Sequence, residues 1–160
     1  MNDTTKPSPS VITDHPLSVL DVPGPTPTGE SMPFWEAARE GQLKIPHCNT
    51  CGKFFFYPRH LCPHCWSRDW AWQQASGWST LKTYTIVHRA GHPSWAAVAP
   101  YAVGLVELDE GPVLMTHVLA TPAPCRVGSL MDVQFVKLGD WVLPCFAPSD
   151  RTHDEETKNG

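Results

Sequence analysis

The chain is short of the features that mark membrane spans, exported proteins and nucleic-acid binders. No run approaches the roughly 18 apolar residues a spanning helix needs. Met1 to Ser10 is polar and proline-containing, with no apolar core ahead of a small-residue cleavage site. Export is therefore not expected, and a cytoplasmic location is. Positive charge is in deficit: Lys and Arg number 12 against 16 Asp and Glu, a net of −4. Nucleic-acid binders usually carry a strong positive field, so such a partner is disfavoured. Cysteine is nearly absent outside one segment, with only Cys125 and Cys145 elsewhere.

That segment holds the main signal. Cys48-x-x-Cys51 and Cys62-x-x-Cys65 stand with ten residues between the pairs. Each pair can grip a metal from a tight turn, and two pairs so close make a tetrahedral thiolate cage, which suits Zn²⁺. Gly52 follows the first pair where such a turn calls for positive φ, and Pro63-His64 fills the second turn. Between them, Lys53-Phe54-Phe55-Phe56-Tyr57-Pro58 reads as aromatic, strand-like and too short for a helix. The expectation is a rubredoxin-like zinc ribbon over about residues 43–72. A redox C-x-x-C needs no second copy, and disulfides need an oxidising compartment. Iron uses the same ligands and stays open. His47, His60 and His64 lie near enough to compete, but four thiolates already complete the shell and make the metal structural.

The ribbon is too small to bury a core of its own and depends on its metal. It is also the one basic stretch, with Lys44, Lys53, Arg59 and Arg68 against Asp69. Ahead of it, residues 1–30 carry Pro7, Pro9, Pro16, Pro23, Pro25 and Pro27. They read as an extended arm or solvated tail, with Val11-Ile12 and Leu17 to Leu20 as apolar anchors for a partner subunit. Within residues 31–42 a short helix is expected from Pro33 to Glu40, capped by Ser31 and stopped at Gly41, with Phe34, Trp35 and Ala38 on its apolar side.

Beyond the ribbon the pattern turns to strands over 73–148. Trp78 to Val87, Tyr101 to Leu108, Val113 to Leu119, Met131 to Phe135 and Trp141 to Phe146 are five runs. Asp109-Glu110-Gly111-Pro112 makes the second and third a hairpin, and Pro144 puts the last at an edge or beside a bulge. Five short strands without a long helix give a mainly β fold, an OB-like barrel. Residues 149–160 are a polar tail.

The order of these pieces resembles one family. A Trp-bearing short helix, the double C-x-x-C ribbon, Ser76-Gly77-Trp78, the run from Pro100-Tyr101 to Glu110-Gly111, and Leu143-Pro144-Cys145-Phe146 are similar to the zinc-ribbon plus OB-fold proteins that accompany thiolases and related acyl-CoA enzymes. The resemblance covers residues 33–148. It implies a non-catalytic partner of a thiolase-fold subunit, with the barrel near the CoA channel and the catalytic residues in the partner. The chain departs from its relatives at Pro112-Val113, after the Glu-Gly turn, where an arginine is usual.

Of the remaining residues, His88, Arg89, His92 and Trp95 form the loop between the first two barrel strands, with Tyr101 at its end and Trp35 on the short helix. An imidazole, a guanidinium and an indole together suit a CoA phosphate and purine, or a partner interface. Cys125 reads as an inert loop thiol, although Arg126 stands where it could lower its pKa. Cys145 in an apolar strand reads as buried and inert, His117 as a strand histidine satisfied by a neighbour. Glu107, Asp109 and Glu110 read as solvated turn acids. Two alternatives to the accessory subunit remain: a free-standing acyl-CoA binder, and a single-strand nucleic-acid module using Phe54 to Tyr57.

Overall fold

A computed structural model describes residues 10–119 and 125–151. The first nine residues of the arm, with Pro7 and Pro9, and residues 152–160 of the polar tail lie outside the described residues. So does the loop segment 120–124.

The helix α1 (Met32–Arg39) follows from its local sequence. Pro33 occupies the first turn, where a missing N–H costs nothing. Phe34, Ala37 and Ala38 fall on one face and are buried. Gly41 at φ +69° ends the helix, with Gln42 N–H bonding Ala37 O at 2.9 Å. Ser31 does not cap as its type suggests. Its hydroxyl accepts from the Thr28 N–H at 3.0 Å and makes no bond to the helix.

Strand β1 (Lys44–Cys48) pairs antiparallel with β2 (Trp70–Gln74), from Lys44↔Gln74 to Cys48↔Trp70. The aromatic stretch expected to be strand-like makes only an isolated bridge, His47↔Phe54, before it turns. Its role is packing: Phe55 is buried beside Cys48, Cys62 and the Trp70 ring.

The barrel consists of β3 (Trp78–Val87), β4 (Tyr101–Leu108), β5 (Val113–Val118), β6 (Leu130–Leu138) and β7 (Trp141–Pro148). It closes in the order β3-β4-β5-β7-β6. Closure is uneven. β3 and β6 share only Trp78–Thr80 with Leu130–Asp132, and β5 meets β7 at one parallel bridge, Val118↔Phe146. Pro144 lies on the loosely closed side, where its carbonyl accepts from Thr116 Oγ1 at 2.9 Å. Inside, Leu81, Val106, Met131, Phe135 and Phe146 are fully buried. Each such side chain contributes about 1.5–3 kcal/mol. Gly104 is required by its neighbours: a Cβ there would stand 2.7 Å from the Thr83 carbonyl oxygen.

The described part of the arm lies on the chain's own barrel, not in solvent. Ile12 adds a parallel bridge to the free edge of β6, with Ile12 N–H to Phe135 O at 2.7 Å and Lys137 N–H to Ile12 O at 2.9 Å. A 3-10 turn, Pro16–Val19, then seats Leu17 and Leu20 against Val136, Leu138 and Cys145. The anchors legible in the sequence are used within the molecule. Prolines suit such a strap, which needs few backbone donors. At the other end, Arg151 bonds Asp132 Oδ1 at 3.2 Å and lies 4.7 Å over the Trp78 ring.

Candidate functional site

The four cysteines come from two equivalent turns. Cys48 ends β1, and Gly52 N–H bonds the Cys48 carbonyl at 2.9 Å; Trp66 N–H bonds the Cys62 carbonyl at 2.9 Å. All four Sγ atoms lie within 4.8 Å of one another, with Cys48–Cys65 at 3.6 Å and Cys51–Cys62 at 3.7 Å. Tetrahedral thiolates about 2.3 Å from one metal would stand about 3.8 Å apart. The donor set therefore fits a closed structural metal centre. His47 is engaged elsewhere, its ring nitrogens 3.1 Å from Gly52 O and from Gln73 Nε2. His60 faces Glu30. Neither joins the cage.

Four thiols this close oppose one another's ionisation. The Cys51 backbone N–H leads the causes that bring Cys48 down to about 7. Cys65 has thiolate support from Ser67 N–H, yet burial and three neighbouring sulfurs push it up to about 12. A cation that takes the place of those protons removes the conflict. The remaining thiols are unreactive. Burial pushes Cys145 up to about 12 and raises Cys125 as well, so Arg126 does not activate Cys125.

The loop picked out by sequence divides. His88 and Arg89 are exposed at the end of β3. His92 is a structural cap, its Nδ1 accepting from Ser94 N–H at 3.2 Å, ahead of a 3-10 turn, Pro93–Val98. Trp95 turns inward and stacks on His117 at 4.9 Å and 12°, with Tyr101 5.5 Å away. Trp35 belongs to a separate cluster, edge-on to Phe34 at 5.0 Å and to Trp141 at 6.1 Å. Its indole nitrogen is buried without a hydrogen-bond partner.

His117 is held neutral. Burial lowers its pKa first, and the nearby His15 lowers it further. Burial also lowers His15, against the pull of Asp14. Unfolded histidine titrates near 6.5. A depressed folded pKa means the unfolded state takes up protons first, so this stability is complete above about pH 6.5 and is lost as pH falls through the folded value. His117→Phe, which keeps a ring against Trp95, is expected to flatten the fall in urea midpoint between pH 7 and 5. An unchanged slope would remove His117 from that account.

Sequence reasoning missed a groove of about 410 Å³ between the ribbon and the β4–β5 turn, lined by Lys53, Phe54, Phe56, Arg59, His64 and Glu110. Glu110 is not a solvated acid. It bonds the Ser76 N–H at 2.6 Å, and its other oxygen is buried without a partner. Glu107 pairs with Lys82 at 3.2 Å.

Comparison with known proteins follows the two structural units. Residues 35–71 match the family described as ChsH2, rubredoxin-like zinc ribbon domain, and residues 72–136 match ChsH2, C-terminal OB-fold domain. A "Probable enoyl-CoA hydratase alpha subunit" of Thermomonospora curvata is 34% identical over 119 residues, 72% of this chain but 37% of that protein. The chain thus spans little more than a third of that relative. A DUF35 domain-containing scaffold protein of Pyrococcus furiosus is 33% identical over 64% of this chain and 74% of its own length. Among solved structures, a chain of the Ltp2-ChsH2(DUF35) aldolase has TM-score 0.70 and 31% identity, covering 78% of this chain and 98% of that one. With ribbon and barrel both matched in this order, the chain belongs to the DUF35 family, the ChsH2-type zinc-ribbon and OB-fold proteins.

Proposed function

We propose that this chain is a non-catalytic accessory subunit of a cytoplasmic acyl-CoA-processing complex, with zinc in its four-cysteine cage and a thiolase-fold subunit as catalytic partner. The observation that carries the reading is its likeness, over 98% of the other chain, to part of the Ltp2-ChsH2(DUF35) aldolase. Similarity to a protein named as a hydratase of enoyl-CoA supports CoA thioesters as the substrate class. The chain's own chemistry agrees: a complete thiolate shell leaves no coordination site for substrate.

The role is positional. A barrel set against a reaction channel excludes water and fixes the thioester while the partner makes or breaks the carbon–carbon bond or transfers the acyl group. Exposed His88 and Arg89 are the groups to meet CoA phosphates, through charge-assisted hydrogen bonds. His92, Trp95 and Tyr101 shape the loop behind them, and Trp35 braces α1 for contact with the partner.

Affinity capture of the tagged chain from its native lysate, with mass spectrometry, tests the assignment. A stoichiometric acyl-CoA enzyme subunit of thiolase fold is expected, and Arg89→Ala is expected to weaken CoA affinity of the assembled complex without unfolding the chain. Recovery of the chain alone would overturn the accessory role in favour of a free-standing acyl-CoA binder. Unchanged CoA affinity would remove Arg89 from the site.

A further inference from the structure

The two turns of the cage are built alike and filled differently. Gly52 follows Cys51 at φ +69°, an easy conformation for glycine. Trp66 follows Cys65 in the equivalent place at φ +63°, and is the one non-glycine residue with positive φ among the described residues. A side chain there crowds its own backbone. The indole recovers nothing through packing: it is 73% exposed and joins none of the hydrophobic clusters. Glycine would serve both the turn and the metal better, so the fold gives no reason for tryptophan.

Its base is rigid, and it stands in the basic stretch of the chain. Thr50 and Ser67 hydroxyls, 2.7 Å apart, tie the two turns together, and Asn49 holds the Asp69 carboxylate at 2.7 Å. Arg68 is exposed two residues along. Pro63 and His64 of the same turn form one wall of the groove that Lys53 and Arg59 also line. In a chain of net charge −4, residues 43–72 carry Lys44, Lys53, Arg59 and Arg68 against Asp69, and the exposed ring belongs to this basic stretch. An exposed indole on a rigid base within a basic stretch has the make-up of an interface hot spot, and rigidity lowers the entropy lost on binding.

The geometry points to Trp66 as the anchor of a protein-docking surface. Its occupant is an apolar pocket bordered by carboxylates on the catalytic subunit of the proposed complex; the inference rests on that reading. The acidic border meets Lys53, Arg59 and Arg68, and the pocket takes the ring.

Trp66→Gly in the full metal-loaded chain separates docking from folding. The variant is expected to unfold at a higher temperature than the parent, with its metal content unchanged. Its dissociation constant for the captured catalytic subunit is expected to rise by on the order of 30-fold. Lys53→Glu with Arg59→Glu should also weaken assembly and reduce its salt dependence. A photo-crosslinking residue at position 66 should label the catalytic subunit, whereas the same residue at Met115, 80% exposed on β5, should not. Parent-like affinity in Trp66→Gly, lower stability of the free variant, or labelling from position 115 alone would each overturn the inference while leaving the accessory role standing. A parent chain that captures no acyl-CoA enzyme would overturn the proposed function, and the docking assignment with it.

Discussion

Cys48→Ser is expected to lose the metal on dialysis and to open the ribbon. Structural zinc contributes on the order of 10–16 kcal/mol of apparent binding free energy at neutral pH, most of which depends on a complete thiolate set. The ribbon's other apolar residues, Leu43, Ile45, Phe54, Phe56 and Trp72, pack into the cluster shared with the barrel. Its own cluster consists of Cys48, Phe55 and Cys62, with Cys51, Cys65 and Trp70 packed against them, so the ligands are also the core. Loss of one ligand should expose Phe55 and make the segment between Cys48 and Cys65 sensitive to protease. Circular dichroism from β3–β7 should persist, because the barrel interior is formed by other residues. Cys125→Ser is the control and should keep a full equivalent of metal. A Cys48→Ser protein that retained both metal and protease resistance would show that the cage is not the source of ribbon stability.

Phe135→Ala should cost about 3–5 kcal/mol, the usual range for deleting a fully buried phenyl ring. Phe135 has 0% exposure and sits on β6 opposite Pro144 of β7. Closure next to it is thin: β5 reaches β7 through one bridge, and β3 reaches β6 through three residue pairs. A cavity here cannot be relieved by a strand shift without breaking those contacts. Against a typical domain stability of about 5–15 kcal/mol, the variant should lose much of its urea resistance. Phe135→Leu, which keeps most of the volume, should lose far less. A change below about 1 kcal/mol for the alanine variant would mean the barrel closes over the void.

The cage and the strands were legible because their signals are local. The C-x-x-C pairs state their own spacing, and Trp78–Val87 and Tyr101–Leu108 have the bounds that their strand-forming residues, Gly77 and the turn at Asp109 to Pro112 suggest. What could not be read depends on partners distant in the chain. Glu110 looks like a turn acid until Ser76, 34 residues away, supplies an N–H. Trp95 has the composition of a binding residue, and its packing becomes visible only with the position of His117. The groove beside the ribbon exists only because the β4–β5 turn comes up to it. The proline-rich arm misleads for a related reason. Low helix and strand propensity describes its local conformation and says nothing of what Leu17 and Leu20 rest against.

That arm also carries a consequence for the order of folding. Ile12 leaves the ribosome well before the edge it pairs with, at Phe135 to Lys137, has been made. Joining them closes a loop on the order of a hundred residues, an entropic cost that only a finished barrel can offset. Until then the outer side of β6 and β7, with Val136, Leu138 and Cys145, is covered only in part, by Trp95, Val98, Leu119 and Leu143. The nascent chain therefore passes through a stage with a sticky flank, and the arm settles after the barrel it lies on.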